Sequence, residues 1–200
     1  MGMAELERSE IPDFFSGVAR DGKVLASNSG GNVEERYPVA YNLGSGRARW
    51  RGWINVDSRK DADIQSDLRD LSAIESDSAD AVAAIHVLEH FYVWEVPALL
   101  TEWKRILKPG GKMILELPCA DKVFGYVVQC IQKGESMAEF MTLYALYGDP
   151  MYKDPVMCHR WIWFTEPLHR MLESVGMREI TDCDPRYHFP FRDMRIESVK

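Results

Sequence analysis

Residues 41–57, YNLGSGRARWRGWINVD, limit what this chain can fold into more than any other stretch of it. An apolar run, Val39 to Leu43 broken only by Asn42, enters the turn Gly44-Ser45-Gly46. A second run, Trp53 to Val56, ends on an acid, Asp57. Two such runs read as neighbouring strands of an open α/β sheet, where ligands lie outside the carboxyl ends of the strands. Glycines there let backbone approach a ligand closely, since they lack Cβ and tolerate positive φ. An acid at the tip of the next strand is placed to accept hydrogen bonds from ribose hydroxyls. Only Arg47 to Gly52 remain for the crossover, against about 10–12 residues for a usual one. The first helix is therefore a single turn or missing.

The same spacing argues against a dinucleotide. The fingerprint G-x-G-x-x-G needs glycine where Arg49 stands, with its acid roughly 20 residues further on. A pyrophosphate also needs the N-terminus of that first helix, with its dipole and free N–H groups. A nucleoside without phosphates does not. S-adenosylmethionine meets the pattern, with a ribose for Asp57 and an amino-acid tail for the Gly44–Gly46 turn. A tight strand–loop–strand connection with Asp57 as a cap explains the glycines equally well, and at this point both readings stand.

Two hundred residues, nearly half of them hydrophobic, suit one globular domain with a substantial core. Residues 37–200 are expected to form that domain, with 1–36 as an extension packed on it. A net charge of −7 and a pI near 5.3 disfavour nucleic acid, which needs a basic footprint. Arg47, Arg49 and Arg51 with Trp50 and Trp53 are a local exception, read first as a charged surface turn, with phosphate or carboxylate contact as the alternative. Four cysteines show no C-x-x-C pair, so reduced thiols are the default. No apolar run nears the ~20 residues that span a bilayer. The acidic start, Glu5 to Glu10, does not resemble a signal peptide. A cytoplasmic protein without a membrane partner is the expectation.

From Val39 onward short apolar runs alternate with helical stripes, the pattern of a mostly parallel sheet with helices on its faces. Ala79 to Ile85 is apolar apart from Asp80, as befits a strand buried on both sides. Val93 to Leu107 carries a helical stripe, stopped by Lys108-Pro109-Gly110-Gly111, and Met113 to Leu117 is the next strand. Helices are expected at 123–131 and 137–147. Thr165 is expected to cap another, with Pro167 in its first turn and Gly176 past its end. The runs 177–181 and 194–199 read as a closing pair of strands.

Two clusters carry chemistry. Asp67-Leu68, in DIQSDLRDL, could hold adenine, Asp67 accepting from the exocyclic amine and Leu68 covering the ring; Asp70 is a competing carboxylate, and Asp is common in turns anyway. His86-Val-Leu-Glu89-His90 matches H-x-x-E-H, the zinc signature of inverted zinc peptidases. That chemistry needs both histidines on one helix face. Here His86 directly follows the Ala79–Ile85 run, at a strand's carboxyl end, so no metal is expected; a purely structural role for His86 and His90 is the plain alternative.

Taken together, NLGSG, NVD, SDLRDL, AIHVLEHF and EWKRILKPGGKMILELP occur in the order and spacing of class I S-adenosylmethionine-dependent methyltransferases. The chain most resembles the small, truncated members of that group, strongly over residues 39–118 and weakly through HRWIWFTEPLHRMLESVGM. The resemblance implies a doubly wound, mostly parallel Rossmann-like α/β sheet of seven strands, closed by an antiparallel C-terminal pair. It implies cofactor contact at Gly44, Gly46, Asp57, Asp67, Leu68 and His86, with Asn42, Leu43 and Ser45 completing the turn. Asn42 is a departure, since the family often has an acid there. The helices between the first three strands are cut away, which leaves one flank of the sheet for residues 1–36 or a second subunit to cover.

The reaction implied is methyl transfer from S-adenosylmethionine to an oxygen or nitrogen of a small-molecule or glycan-like acceptor, by an enzyme for which a homodimer is one arrangement. His90 and His159 are the base candidates. Tyr152, Trp161, Trp163 and Phe164 could wall an acceptor pocket, or simply cover the sheet. Two rivals are a non-catalytic S-adenosylmethionine-binding protein and a zinc hydrolase built on HVLEH.

Overall fold

Ala79–Ile85 forms the central strand, as an apolar run broken only by Asp80 should, and all its residues but Asp80 and Ile85 are buried. The computed structural model of the protein describes residues 36–134, 138–149 and 152–200. The extension expected at residues 1–36 therefore lies outside the described residues, save its last. The elements are β1 (Ala40–Leu43), β2 (Ile54–Asp57), β3 (Ile64–Gln65), β4 (Ala79–Ile85), α1 (Val96–Ile106), β5 (Leu107–Pro118), α2 (Ala120–Lys133), α3 (Ala138–Tyr147), α4 (Thr165–Ser174), β6 (Arg178–Cys183) and β7 (Asp193–Val199). One seven-stranded sheet runs in the order β3-β2-β1-β4-β5-β7-β6. Its first five strands are parallel, and β7 lies antiparallel between β5 and β6.

One face of the sheet is packed in the ordinary way. α1 buries Val96, Leu99, Leu100, Trp103 and Ile106, a stripe at helical spacing. Trp103 is fully buried, and its indole N–H reaches the Leu68 carbonyl at 3.0 Å, so apolar burial leaves no donor unpaired.

The other face shows what the missing helices cost. No helix connects β1 to β2, β2 to β3 or β3 to β4. Strand residues there are small, Ala40, Ala81 and Ala83 beside Ile114, and the cover is aromatic: Trp53, with Tyr37 and Trp50 packed against it. Trp50 meets Trp53 edge-on at 5.1 Å and Tyr37 does so at 5.7 Å. Asn42 and Asn55, register partners on β1 and β2, hold this loop down. The Asn42 amide donates to the Ala48 carbonyl and to Asn55 Oδ1, both at 3.0 Å. Asn55 Oδ1 also accepts from Trp50 N–H at 2.8 Å, and Asn55 Nδ2 donates to Asp63 at 2.7 Å. Arg49 pairs with the same Asp63.

Three sequence expectations shift. β5 starts at Leu107, so the Lys108–Gly111 stop lies inside a strand whose pairing with β4 jumps from Leu107 to Lys112. β3, only two residues long, had no periodicity to reveal it. Thr165 is the first residue of α4 and not its cap; its N–H is instead capped by the Asp121 carboxylate at 3.0 Å. Among the described residues no helix is long and apolar enough to cross a membrane.

The asparagine pair yields a prediction. Asn55→Leu leaves the Asn42 amide and the Trp50 N–H short of partners in a buried place, at a cost of about 1–3 kcal/mol. Urea unfolding reads this directly, and a loss below about 0.5 kcal/mol, the range of a neutral surface change, would show that the loop is held by its aromatics alone.

Candidate functional site

At the carboxyl end of β4 the chain turns sharply. His86 adopts φ +53°, left-handed backbone that a side chain with Cβ rarely takes, while its N–H still donates to the Glu116 carbonyl of β5 at 2.7 Å. Val87 then turns back over the sheet, and Leu88–His90 make a single 3-10 turn. His86 and His90 thus share no helix face, and the paired-histidine geometry of a zinc peptidase is not formed.

What does form is a buried chain of charges. Glu89 is 1% exposed, and its Oε1 lies 3.0 Å from His86 Nδ1. On the other side of the ring, His86 Nε2 is 3.6 Å from Oδ2 of Asp193, a fully buried acid at the start of β7. Burial alone pushes His86 down, yet the Glu89 and Asp193 carboxylates prevail and hold it at about 9. Burial likewise pushes both acids up, and the imidazolium between them, with Arg192 beside Asp193, drives both well below the usual carboxylate range. His188 lies over His86, ring centroids 3.9 Å apart. Burial and the neighbouring imidazolium lower it to about 4, so it is neutral.

Two further imidazoles flank Glu89. His159 Nε2 is 3.9 Å from Glu89 Oε1, and the His159 ring meets His90 edge-on at 4.9 Å. Burial lowers His159, with Glu89 opposing. The segment carrying His159 is stitched to the 3-10 turn by Arg160 N–H on the Glu89 carbonyl at 2.7 Å. β1 and β2 supply the adjoining wall. Gly44 and Gly46 have φ +67° and +53°. A Cβ on Gly44 would stand 2.5 Å from Val87 Cγ2, so glycine is required there on packing grounds as well. Gly46 N–H donates to Asp57 Oδ2 at 2.8 Å, which ties the turn to the tip of β2.

Residues 48–115 match the sequence profile of a family described as methyltransferase domain. A comparison with curated proteins finds no match. Among solved structures, a SAM-dependent methyltransferase from Archaeoglobus fulgidus is 16% identical at a TM-score of 0.56, with 81% of this chain and 86% of that one covered. Burkholderia thailandensis 1,6-didemethyltoxoflavin-N1-methyltransferase, bound to 1,6-didemethyltoxoflavin and S-adenosylhomocysteine, is 12% identical at 0.54, with coverage of 82% and 72%. Human N-acetylserotonin methyltransferase in complex with SAM is 16% identical at 0.51; 82% of this chain covers 47% of that protein, so the chain spans about half its length. The chain has the class I methyltransferase fold.

Within this methyltransferase fold the sequence-selected residues divide into three groups. Gly44, Ser45, Gly46 and Asp57 converge at the ends of β1 and β2, and Leu68 comes within 3.4 Å of where a Gly44 Cβ would stand. Leu43 is wholly in the core, so only its backbone faces the turn, and the Asn42 amide is spent on the crossover loop. Asp67 is exposed and bound to Arg69 N–H at 2.9 Å. His86, His90 and His159 come together, as described. Of the aromatics, Trp163 is core, 2% exposed, while Tyr152, Trp161 and Phe164 are exposed.

Glu116, His188 and Asp193 escape a reading of the sequence. Glu116, fully buried on β5, accepts N–H bonds from Arg186, Tyr187 and His188 at 2.9, 2.9 and 3.1 Å and lies 3.5 Å from the buried Arg195 guanidinium. It anchors the β6–β7 loop, laying Tyr187 flat on Trp50 at 4.9 Å and His188 on His86. An acid inside the apolar run MILELP was the available signal. Glu116→Ala strands three backbone donors and a buried cation, so it should cost about 3–5 kcal/mol in denaturant unfolding; an unchanged midpoint would mean that the loop holds itself.

Proposed function

We propose that the protein transfers a methyl group from S-adenosylmethionine to an oxygen or nitrogen of an acceptor. The observation that carries this reading is the turn itself. Gly44 and Gly46 hold left-handed backbone, Gly46 is tied to Asp57, and Ser45 Oγ is buried with no hydrogen-bond partner among the described residues. An orphaned hydroxyl inside a glycine turn fits a ligand bearing polar groups. The neighbours crystallised with SAM or S-adenosylhomocysteine support the same cofactor.

Asp57 would accept from the ribose, Gly44–Gly46 and the His86 backbone would border the methionine portion, and Leu68 would cover the adenine with Asp67 at its rim. The bound cofactor supplies an electrophilic sulfonium methyl. The protein's own work is to hold the acceptor in line with it, which accounts for most of the rate in such reactions. His90 and His159 are the groups offered to the acceptor: each has Nδ1 against a carbonyl, leaving Nε2 for a proton or a ligand.

Two measurements test this. Asp57→Ala removes charge-assisted hydrogen bonds worth about 1.5–3 kcal/mol, so calorimetry should show S-adenosylhomocysteine binding weakened about 10- to 150-fold. Unchanged binding in a folded Asp57→Ala protein refutes the ribose assignment. On the acceptor side, His90→Ala and His159→Ala should each lower turnover by about 10²–10⁴-fold while leaving S-adenosylhomocysteine affinity nearly intact. Wild-type turnover in both would leave positioning alone to explain the rate.

A further inference from the structure

Glu89 poses a question that methyl transfer does not answer. Its carboxylate is 1% exposed, yet beyond the His86 ring 3.0 Å from Oε1 it has no side-chain partner within hydrogen-bond reach among the described residues. A buried carboxylate normally has several. His86 sits near Oε1 as its counter-charge, and Oε2 is left bare.

The groups opposite are two imidazoles already oriented by their outer nitrogens. His159 Nδ1 is 2.8 Å from the Ala145 carbonyl and His90 Nδ1 is 3.3 Å from the Cys158 carbonyl. A carbonyl can only accept, so in the neutral rings Nδ1 carries the hydrogen and Nε2 keeps its lone pair. His159 Nε2 lies 3.9 Å from Glu89 Oε1, too far for a hydrogen bond. One ligand atom each from Glu89, His90 and His159 lies within 4.8 Å of the others. Around an ion with bonds of about 2.0–2.2 Å, neighbouring ligand atoms stand roughly 3.0–3.5 Å apart. Side-chain adjustments of an ångström or less close that gap.

We infer that Glu89, His90 and His159 form a site for a divalent transition-metal ion. Imidazole and carboxylate donors suit zinc, iron, cobalt or nickel over calcium or magnesium. The surroundings are those a ligand set needs, with both histidines fixed by Nδ1–H on a carbonyl and Glu89 steadied by His86, itself held by Asp193. Three protein ligands leave coordination positions open. For its consequence this inference rests on the methyl-transfer reading: the ion would bind an acceptor oxygen and lower its pKa. The sequence expectation of no metal came from pairing His86 with His90; the fold puts His159 in place of His86.

The test uses the full chain, stripped with chelator and titrated with Zn²⁺ and Co²⁺, read by metal content, cobalt absorption and thermal shift. One equivalent should bind. Glu89→Gln, which keeps the side chain's shape, and His159→Ala should each lose more than the ~10–100-fold affinity typical of an outer-shell change, while His188→Ala keeps it. Wild-type protein that takes up well under one equivalent overturns the inference, as does stoichiometric binding that survives His159→Ala. A thermal shift with S-adenosylhomocysteine on the same samples reports the fold and the cofactor separately. S-adenosylhomocysteine binding without metal refutes this site and spares methyl transfer; metal binding without S-adenosylhomocysteine does the reverse.

Discussion

Six residues between Gly46 and Trp53 decide how the whole molecule is put together. They are too few for a helix, so β1 and β2 join by a bare loop and one flank of the sheet has no helical cover. The flank is closed from two directions. Strand residues shrink to alanine where indole and phenol rings pack on them, and the Asn42–Asn55 pair fixes the loop that carries Trp50. A polar pair in the middle of two strands looks like a defect in an apolar pattern. It is tolerated because every one of its groups that is buried finds a partner in the loop it restrains.

That loop also links the two halves of the site. Trp50, at its centre, stacks on Tyr187 of the β6–β7 loop, which Glu116 anchors from beneath. The glycine turn and the histidine cluster are thus braced against each other across the top of the sheet. With no helix between the first strands, side-chain stacking joins these two regions in one set of contacts.

Periodicity made most of the sheet legible. Ala79–Ile85 matches its apolar run residue for residue, α1 follows its stripe, and the absence of the first helix follows from counting Arg47 to Gly52. The glycine turn and the β2 acid were legible too, because they sit on neighbouring strands and local spacing fixes both. Contacts made by chain return were not. His159 is brought to His90 by long-range bonds such as that from Arg160 N–H to the Glu89 carbonyl, and His188 to His86 by the loop bonded to Glu116. Neither bond has a sequence period. Glu89 was visible only as part of H-x-x-E-H, and that motif gave it a helical setting without His159, whereas His86 leaves its strand with positive φ and never joins a helix.

The buried charges share a common logic. Asp193, His86 and Glu89 alternate in sign, and so do Glu116, Arg195, Glu197 and Lys112 across β5 and β7. Removing any one member of such a chain exposes its neighbours to an uncompensated charge in a medium that screens poorly, so the arrangement is rigid by energetic necessity. It contributes little net stability over an apolar core of the same volume. What it achieves is position. Through the strand ends that carry His86, Glu116 and Asp193, the loop bearing His188 is held over His86 and that bearing His159 beside Glu89. Glu89 is the last member: His86 balances its charge at Oε1, while Oε2 has no hydrogen-bond partner among the described residues. The chain of charges ends there, and a cation bound between Glu89, His90 and His159 would give that oxygen a partner.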